Sequence, residues 1–409
     1  MNILVINCGS SSLKYQLIDM NDEKLLCKGL CERIGDEGSC ITHQKDGQKW
    51  TETCPMPTHV EAFNKVVEKM TSGEGKAIND VSEIGAIGHR GVHGGEAFHE
   101  SVLVTDEVIA EYEKLSPLAP LHNPAGVQGL RCARKVFGDK IPNVLVFDTA
   151  FHATMPARAY MYGLPYEYYE KYGVRRYGFH GTSHRYVSLA MANYLGKKPE
   201  DVKIVTCHLG NGSSIAAVDG GKVLDTSMGM TPLGGLLMGT RSGDMDPSIP
   251  GYLMQQTGMT AAEVDAVMNK KSGLLGVSGV SSDNRDVRAA AQSGNPRAQL
   301  AVDMLAYQIR KYIGAYAAAM GGLDAIVFTG GIGENDPLTR GEVCQGLEFL
   351  GVQIDQEKNQ RRGLEINDIS APGSRVTVAA ICTNEELMIA RDTLALANGT
   401  PLQSQSFCS

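Results

Sequence analysis

The chain has 409 residues, 43% hydrophobic and 21% charged, with a formal net charge of -8. That length exceeds one ordinary core and predicts two domains of roughly 150–200 residues each. The acidic balance excludes a protein whose main task is gripping nucleic acid or an anionic membrane.

No run of ~18 apolar residues offers a membrane span, and the N-terminal apolar run is too short for a signal peptide. Ten scattered cysteines read as reduced thiols of a cytoplasmic protein. In chain order, the apolar run 3–6 leads into Asn7-Cys8-Gly9-Ser10-Ser11-Ser12-Leu13-Lys14 and then a second strand over 13–18. This predicts a hairpin with a glycine-serine turn. Neither G-x-x-x-x-G-K-[ST] nor a complete G-x-G-x-x-G occurs, so the turn belongs to neither a P-loop nor a dinucleotide fingerprint. Its N–H groups and hydroxyls can still converge on an anion, with Lys14 adding a point charge.

Cys27, Cys31, Cys40 and Cys54 cluster without the C-x-x-C pairs of a zinc ribbon, and the turn-rich stretch 35–57 predicts a peripheral hairpin or loop. Further strands are expected over 84–87, 144–147, 203–207, 214–218, 325–328 and 376–382. Helices are expected over 58–70, 105–115, 124–137, 183–195, 261–271, 296–320 and 384–397. Such alternation predicts an α/β architecture. Residues 398–409 are expected to fray.

Six stretches carry chemistry. Gly88-His89-Arg90-Gly91-Val92-His93-Gly94-Gly95 holds too many glycines for a helix, which disfavours a zinc-binding H-x-x-x-H pair or a metal-dependent hydrolase built on His89, His93 and His99. It reads as a loop in which backbone approaches a ligand and Arg90 receives an anion. Arg241 lies in a second such loop, Gly239-Thr240-Arg241-Ser242-Gly243, and His180 precedes a helix in Gly178-Phe179-His180-Gly181. Asp148 ends the apolar run 144–147, at the edge where α/β proteins place their sites. Glu385 and Glu386 follow another apolar run; they suit Mg²⁺ as hard oxygen ligands, and equally the first turn of a helix. Finally, Gly330-Gly331-Ile332-Gly333-Glu334-Asn335 reads as a strand-following glycine loop against which a nucleotide could lie.

Residues 3–19 and 204–219 echo each other as strand, Gly-Ser-Ser turn and strand ending at Asp19 or Asp219. Aligned on glycines, Gly9 falls against Gly212, which suggests duplication.

In order, N-x-G-S-S-S-x-K at 7–14, H-R-x-V-H-G-G at 89–95, H-L-G-N-G-S-S at 208–214, G-G-I-G-E-N at 330–335 and T-N-E-E at 383–386 resemble the fingerprints of the acetate kinase family. The resemblance runs from residue 1 to about residue 397. It implies a duplicated actin-like, ribonuclease H-like two-domain α/β fold with the active site in an interdomain cleft. The first domain would span 1–150, completed by the C-terminal helix at 386–409, and the nucleotide-binding second domain 151–385. It also implies roles. Asn7 and Glu385 would hold Mg²⁺, or Mn²⁺ in its place. Arg90, Arg241, His180, Asp148 and His122 would be catalytic. Lys14, His208, Leu209, Gly210, Asn211, Gly212, Asp283, Asn284, Arg285, Gly331, Ile332, Gly333, Glu334 and Asn335 would bind ATP. Val92, Leu121, Phe179 and Pro232, with Arg90, would surround the acid.

The expected reaction is reversible phosphoryl transfer from ATP to acetate, giving acetyl phosphate and ADP. The alternatives are a propionate or butyrate kinase, or an actin-like ATPase indifferent to carboxylates. A cytoplasmic homodimer, with no nucleic-acid or membrane partner, completes the expectation.

Overall fold

A computed structural model describes residues 1–402; the expectations for 386–409 and 398–409 therefore extend past the described residues at 403–409. Fourteen strands are found among the described residues. They are β1 Asn2–Cys8, β2 Ser12–Asp19, β3 Lys24–Glu32, β4 Cys40–Lys45, β5 Gln48–Thr53, β6 Ile84–Gly91, β7 Val102–Leu103, β8 Asn143–Phe147, β9 Lys203–Leu209, β10 Ser213–Asp219, β11 Lys222–Thr226, β12 Ala325–Thr329, β13 Ile366–Asp368 and β14 Thr377–Ile381. They fall into two compact units. Among the described residues, one is Met1–Phe151 together with 384–402; the other is His152–Thr383.

The first unit has one mixed sheet of order β5-β4-β3-β2-β1-β6-β8-β7. β1, β6 and β8 run parallel, and the remaining pairs are antiparallel. Ile3 and Val5 face one side with Ile389 of the helix Glu385–Ala397. Leu4 and Ile6 face the other with Phe63 and Ala133 of the helices His59–Thr71 and Asn123–Phe137. A strand covered on both faces reads as an unbroken apolar run, as Ile3–Ile6 does. Gly88 on β6 lets the last helix approach: a Cβ there would collide with Thr393 Oγ1 and lie 2.7 Å from Ile389 Cγ2.

The second unit repeats the plan with the order β11-β10-β9-β12-β14-β13. β9, β12 and β14 are parallel, flanked by antiparallel strands. Helix Pro296–Met320 buries Val302, Leu305 and Ile309 against Val205, Ile215 and Phe328. Helix Gly181–Tyr194 packs on β9 and β12.

The echo is therefore topological and not confined to one hairpin, but its register differs from the glycine alignment. Asn2 pairs with Asp19 and Cys8 with Leu13 in the first hairpin; Lys203 pairs with Asp219 and Leu209 with Ser213 in the second. Gly9 thus corresponds to Gly210, not Gly212, because the first turn is one residue longer.

The stretch 35–57 forms the peripheral hairpin expected of it, β4 and β5 at the edge of the sheet. Two local expectations are corrected. Arg90 stands on β6 itself, since backbone pairing with β8 carries the strand through to Gly91. Gly330–Asn335 is a short helix, not a loop. Side-chain bonds support its glycines: Glu334 accepts from Gly330 N at 2.9 Å, and Arg340 Nη1 donates to the carbonyls of Gly333 and Glu334 at 2.8 and 2.9 Å.

Candidate active site

In the first unit, β6 delivers Arg90 beside the end of β8. Arg90 Nε donates to Asp148 Oδ1 at 2.9 Å and Nη2 to Oδ2 at 2.6 Å. Asp148 is 2% exposed and the arginine side chain 25%, so one end of the guanidinium is fixed while part of it stays open. The Asp148 charge holds Arg90 firmly protonated. Asn7 and Lys14 are cross-strand partners on β1 and β2. They line, with Arg90, Glu385 and Glu386, a cavity of about 380 Å³. Glu385 opens the last helix, and its Oε1 is buried without a hydrogen-bond partner. Burial pushes its carboxyl up to about 7, against the pull of Arg90. A buried acceptor left unpaired is costly, so this oxygen is placed for a donor or a cation.

Val92 follows β6. Leu121 and His122 precede helix Asn123–Phe137 and are exposed, Leu121 to 72%. Asn123 ties the two segments together. Its Oδ1 accepts from His93 N at 3.2 Å and its Nδ2 donates to His93 O at 3.0 Å. The sequence reading missed this fully buried amide, although its place before Pro124 in a helix-opening Asn-Pro was a visible signal.

In the second unit the sites converge on the turn Gly210–Gly212. A Cβ on Gly212 would lie 3.3 Å from Arg241 Nη1 and 3.5 Å from His180 Nε2, so the two side chains meet over this glycine. His180 takes a left-handed backbone, φ 57°, immediately before helix Gly181–Tyr194; such a conformation in a non-glycine residue is uncommon and clusters at functional sites. Its Nδ1 bonds Ser214 Oγ at 2.9 Å, and its ring stacks on His208 at 4.3 Å. Ser214 Oγ is bonded in turn by His184 Nε2 at 2.7 Å; burial keeps His184 neutral, its pKa well down.

Arg241 is half-buried, donates to Pro232 O at 3.2 Å, and has no acidic partner among the described residues. Burial pulls its pKa down. A cation in that state attracts an anion.

A larger cavity of about 940 Å³ is lined by Gly210, Asn211, Asp283, Asn284, Arg285, Gly331, Ile332 and Asn335. Three segments far apart in sequence are thus brought together around one cavity. Gly239 N donates to Asn211 O at 3.1 Å, which joins the Arg241 turn to this cavity.

Six expected nucleotide residues do not line it: Lys14, His208, Leu209, Gly212, Gly333 and Glu334. Leu209 is wholly buried in the core, and His208 supports His180 and bonds Ser183 Oγ at 2.8 Å. Gly333 is buried in its helix. Glu334 is turned inward to Gly330 N, Thr329 Oγ1 and Thr383 N. Lys14 belongs to the first unit's cavity instead. Phe179 is buried at 2% and Pro232 half-buried. Residues unforeseen from sequence also line the larger cavity, among them Ser282, Arg288, Asp336, Gln360 and Arg362.

Residues 2–391 match the model of the acetokinase family. The chain belongs to the acetokinase family. An acetate kinase of Thermotoga maritima is 57% identical over 396 residues, covering 96% of this chain and 98% of its own. One from Dictyoglomus turgidum is 54% identical, covering 96% and 97%. The crystal structure of Porphyromonas gingivalis acetate kinase superposes with a TM-score of 0.93 at 50% identity, covering 97% of this chain and 99% of its own. That of a propionate kinase from Francisella tularensis gives 0.89 at 40%, covering 96% and 99%.

Membership of the acetokinase family makes this chain a kinase with a two-domain α/β fold. The histidines around Arg90 gain a plain structural reading beside it. His89 Nε2 donates to Asn143 Oδ1 at 2.7 Å, the amide's orientation being fixed by Asn143 Nδ2 donating to Ile141 O at 2.9 Å. Burial draws His89 down to about 4. His93 Nδ1 accepts from Gly95 N at 3.1 Å. Among the described residues no group of three His, Cys, Asp or Glu could cage a metal, and no helix is long and apolar enough to cross a membrane.

Proposed function

We propose that this protein transfers the γ-phosphoryl group of ATP reversibly to acetate, giving acetyl phosphate and ADP. The observation that carries the reading is Arg241: half-buried, without a counter-charge, beside His180, on a turn bonded to the rim of the nucleotide-sized cavity. The names of the relatives agree with it.

Acetate's carboxylate is already a nucleophile at neutral pH, so no general base is required. One carboxylate oxygen attacks the γ-phosphorus as the bond to the bridging oxygen breaks, and that electron pair leaves on ADP. The obstacle is charge: an anion approaches an anion, and negative charge spreads over the equatorial oxygens. Arg90, oriented by Asp148, and Arg241 offset that charge, and His180 donates to the oxygens in flight. His122 is assigned to the same reaction. Asp283, Asn284, Arg285, Gly331, Ile332 and Asn335 would hold the nucleotide, with Lys14 serving its phosphates.

A divalent cation fits the first unit's cavity. Glu385 Oε1 is the orphaned hard oxygen, and Asn7 supplies an amide facing the same space. So few protein ligands suit Mg²⁺, which keeps waters and binds phosphate oxygens; Mn²⁺ would serve in its place. When bound, the ion would neutralise charge on the transferring phosphates.

Val92, Leu121, Phe179 and Pro232 are read as the surround of the acid's methyl group, which makes acetate the preferred acid. The likeness to a propionate kinase supports a second reading. One methylene is worth only ~1–3 kcal/mol, so propionate should be a slower substrate. The domain boundaries at about residues 150 and 385, a homodimer and a cytoplasmic location belong to the same proposal.

Chiral γ-phosphorus tests the transfer step. Inversion supports direct in-line attack; retention would replace it with a phosphoenzyme. A higher kcat/KM for propionate or butyrate than for acetate would overturn the choice of acid.

A further inference from the structure

The loop that carries Arg241 is irregular, yet its two ends are held by one helix. Gln308 and Tyr312 lie four residues apart on helix Pro296–Met320 and so share a face. Gln308 Oε1 accepts from the backbone N–H of Leu237 at 2.6 Å; Leu237 is 2% exposed, so no water can replace that acceptor. Tyr312 Oη donates to Asp244 Oδ2, and Asp244 Oδ1 accepts from Gly235 N at 2.7 Å.

Gly235 and Leu237 precede Arg241 and Asp244 follows it, so the two side chains pin the loop on either side of the arginine. Between the pins, Met238 N donates to Arg241 O at 3.1 Å, closing a tight turn that aims the guanidinium. Gly243 takes φ +69°, and a Cβ there would lie 2.6 Å from Gly235 O, which leaves the loop no slack.

We infer that Gln308 and Tyr312 are positioning residues for Arg241, acting on phosphoryl transfer without touching substrate. The inference rests on the proposed role of Arg241 and adds the device that aims it. An arginine that meets charge only in flight must be placed to within about an ångström, and misplacement on that scale costs up to about a hundredfold in rate.

The test is a double-mutant cycle read by acetate-dependent ADP formation with hydroxylamine trapping of the acyl phosphate. Gln308→Leu and Tyr312→Phe should each lower kcat between about tenfold and about a hundredfold with KM for ATP little changed. Gln308→Glu, which keeps an acceptor for Leu237 N–H, should retain most of kcat. In an Arg241→Ala background, Gln308→Leu and Tyr312→Phe should cost nothing further. An equal cost in both backgrounds, or wild-type kcat in both single variants, would overturn the inference. The wild-type control separates the two readings: if it forms no acetyl hydroxamate, the proposed reaction fails, whatever the variants do.

Discussion

Arg90 and Arg241 carry the same charge in opposite settings, and their removal should be felt differently. Arg90 neutralises Asp148, which is 2% exposed. Arg90→Ala strands that carboxylate and should destabilise the protein by about 3–5 kcal/mol as well as abolish turnover. Arg241 has no acid to release. Arg241→Ala should lower kcat by about 10²–10³ and leave Tm unchanged or slightly raised. Thermal melts alongside kcat check both, and a large fall in Tm for Arg241→Ala would contradict the unpaired state.

His89 gives a pH dependence. Its native pKa of about 4 lies below the unfolded value of about 6.5, so between these values the unfolded chain binds more protons. Stability present above pH 6.5 should therefore fall as pH drops towards 4, by on the order of 3 kcal/mol for this group. His89→Gln should flatten that part of the Tm–pH profile. An unaltered slope would assign the acid sensitivity elsewhere.

Among the elements, those covered by packing on both faces were the easiest to read. β1, β8, β9 and β12 are near-continuous apolar runs, and helix Pro296–Met320 shows its period plainly, with Asn295 capping Arg297 and Ala298. Of the outer strands, β4 and β5 were legible only as a peripheral hairpin or loop, and β3 and β13 not at all. β3 and β4 mix cysteine, lysine and glutamine because one face is open, and β13 is three residues long. Glycine misled at 330–335, where the side chains of Glu334 and Arg340 bond the helix backbone and offset the low helix propensity of its glycines. At Gly88 the sequence suggested approach of a ligand; the approach is that of helix Glu385–Ala397. Gly88→Leu should thus weaken the docking of that helix by about 1–3 kcal/mol, read as a lower urea midpoint. No change would mean the helix does not pack as described.

For the whole molecule, duplication was visible in one hairpin, and the repeat extends through strands β3-β2-β1-β6-β8 and β11-β10-β9-β12-β14. The individual charged residues were legible as well, since arginine, histidine and carboxylate beside glycine carry their chemistry openly. Their support was not. Ser214 under His180, Asn123 bonded to the His93 backbone, and Gln308 under the Arg241 loop are ordinary polar residues whose meaning comes only from what the fold sets against them. Family membership supplies the reaction class.

The most direct measurement incubates the protein with ATP and Mg²⁺, with and without acetate, and quantifies ADP against hydroxylamine-trapped acyl phosphate. The account predicts ADP release that depends on acetate and equals the acetyl hydroxamate formed. ADP release at the same rate without any acid, and no hydroxamate, would contradict it.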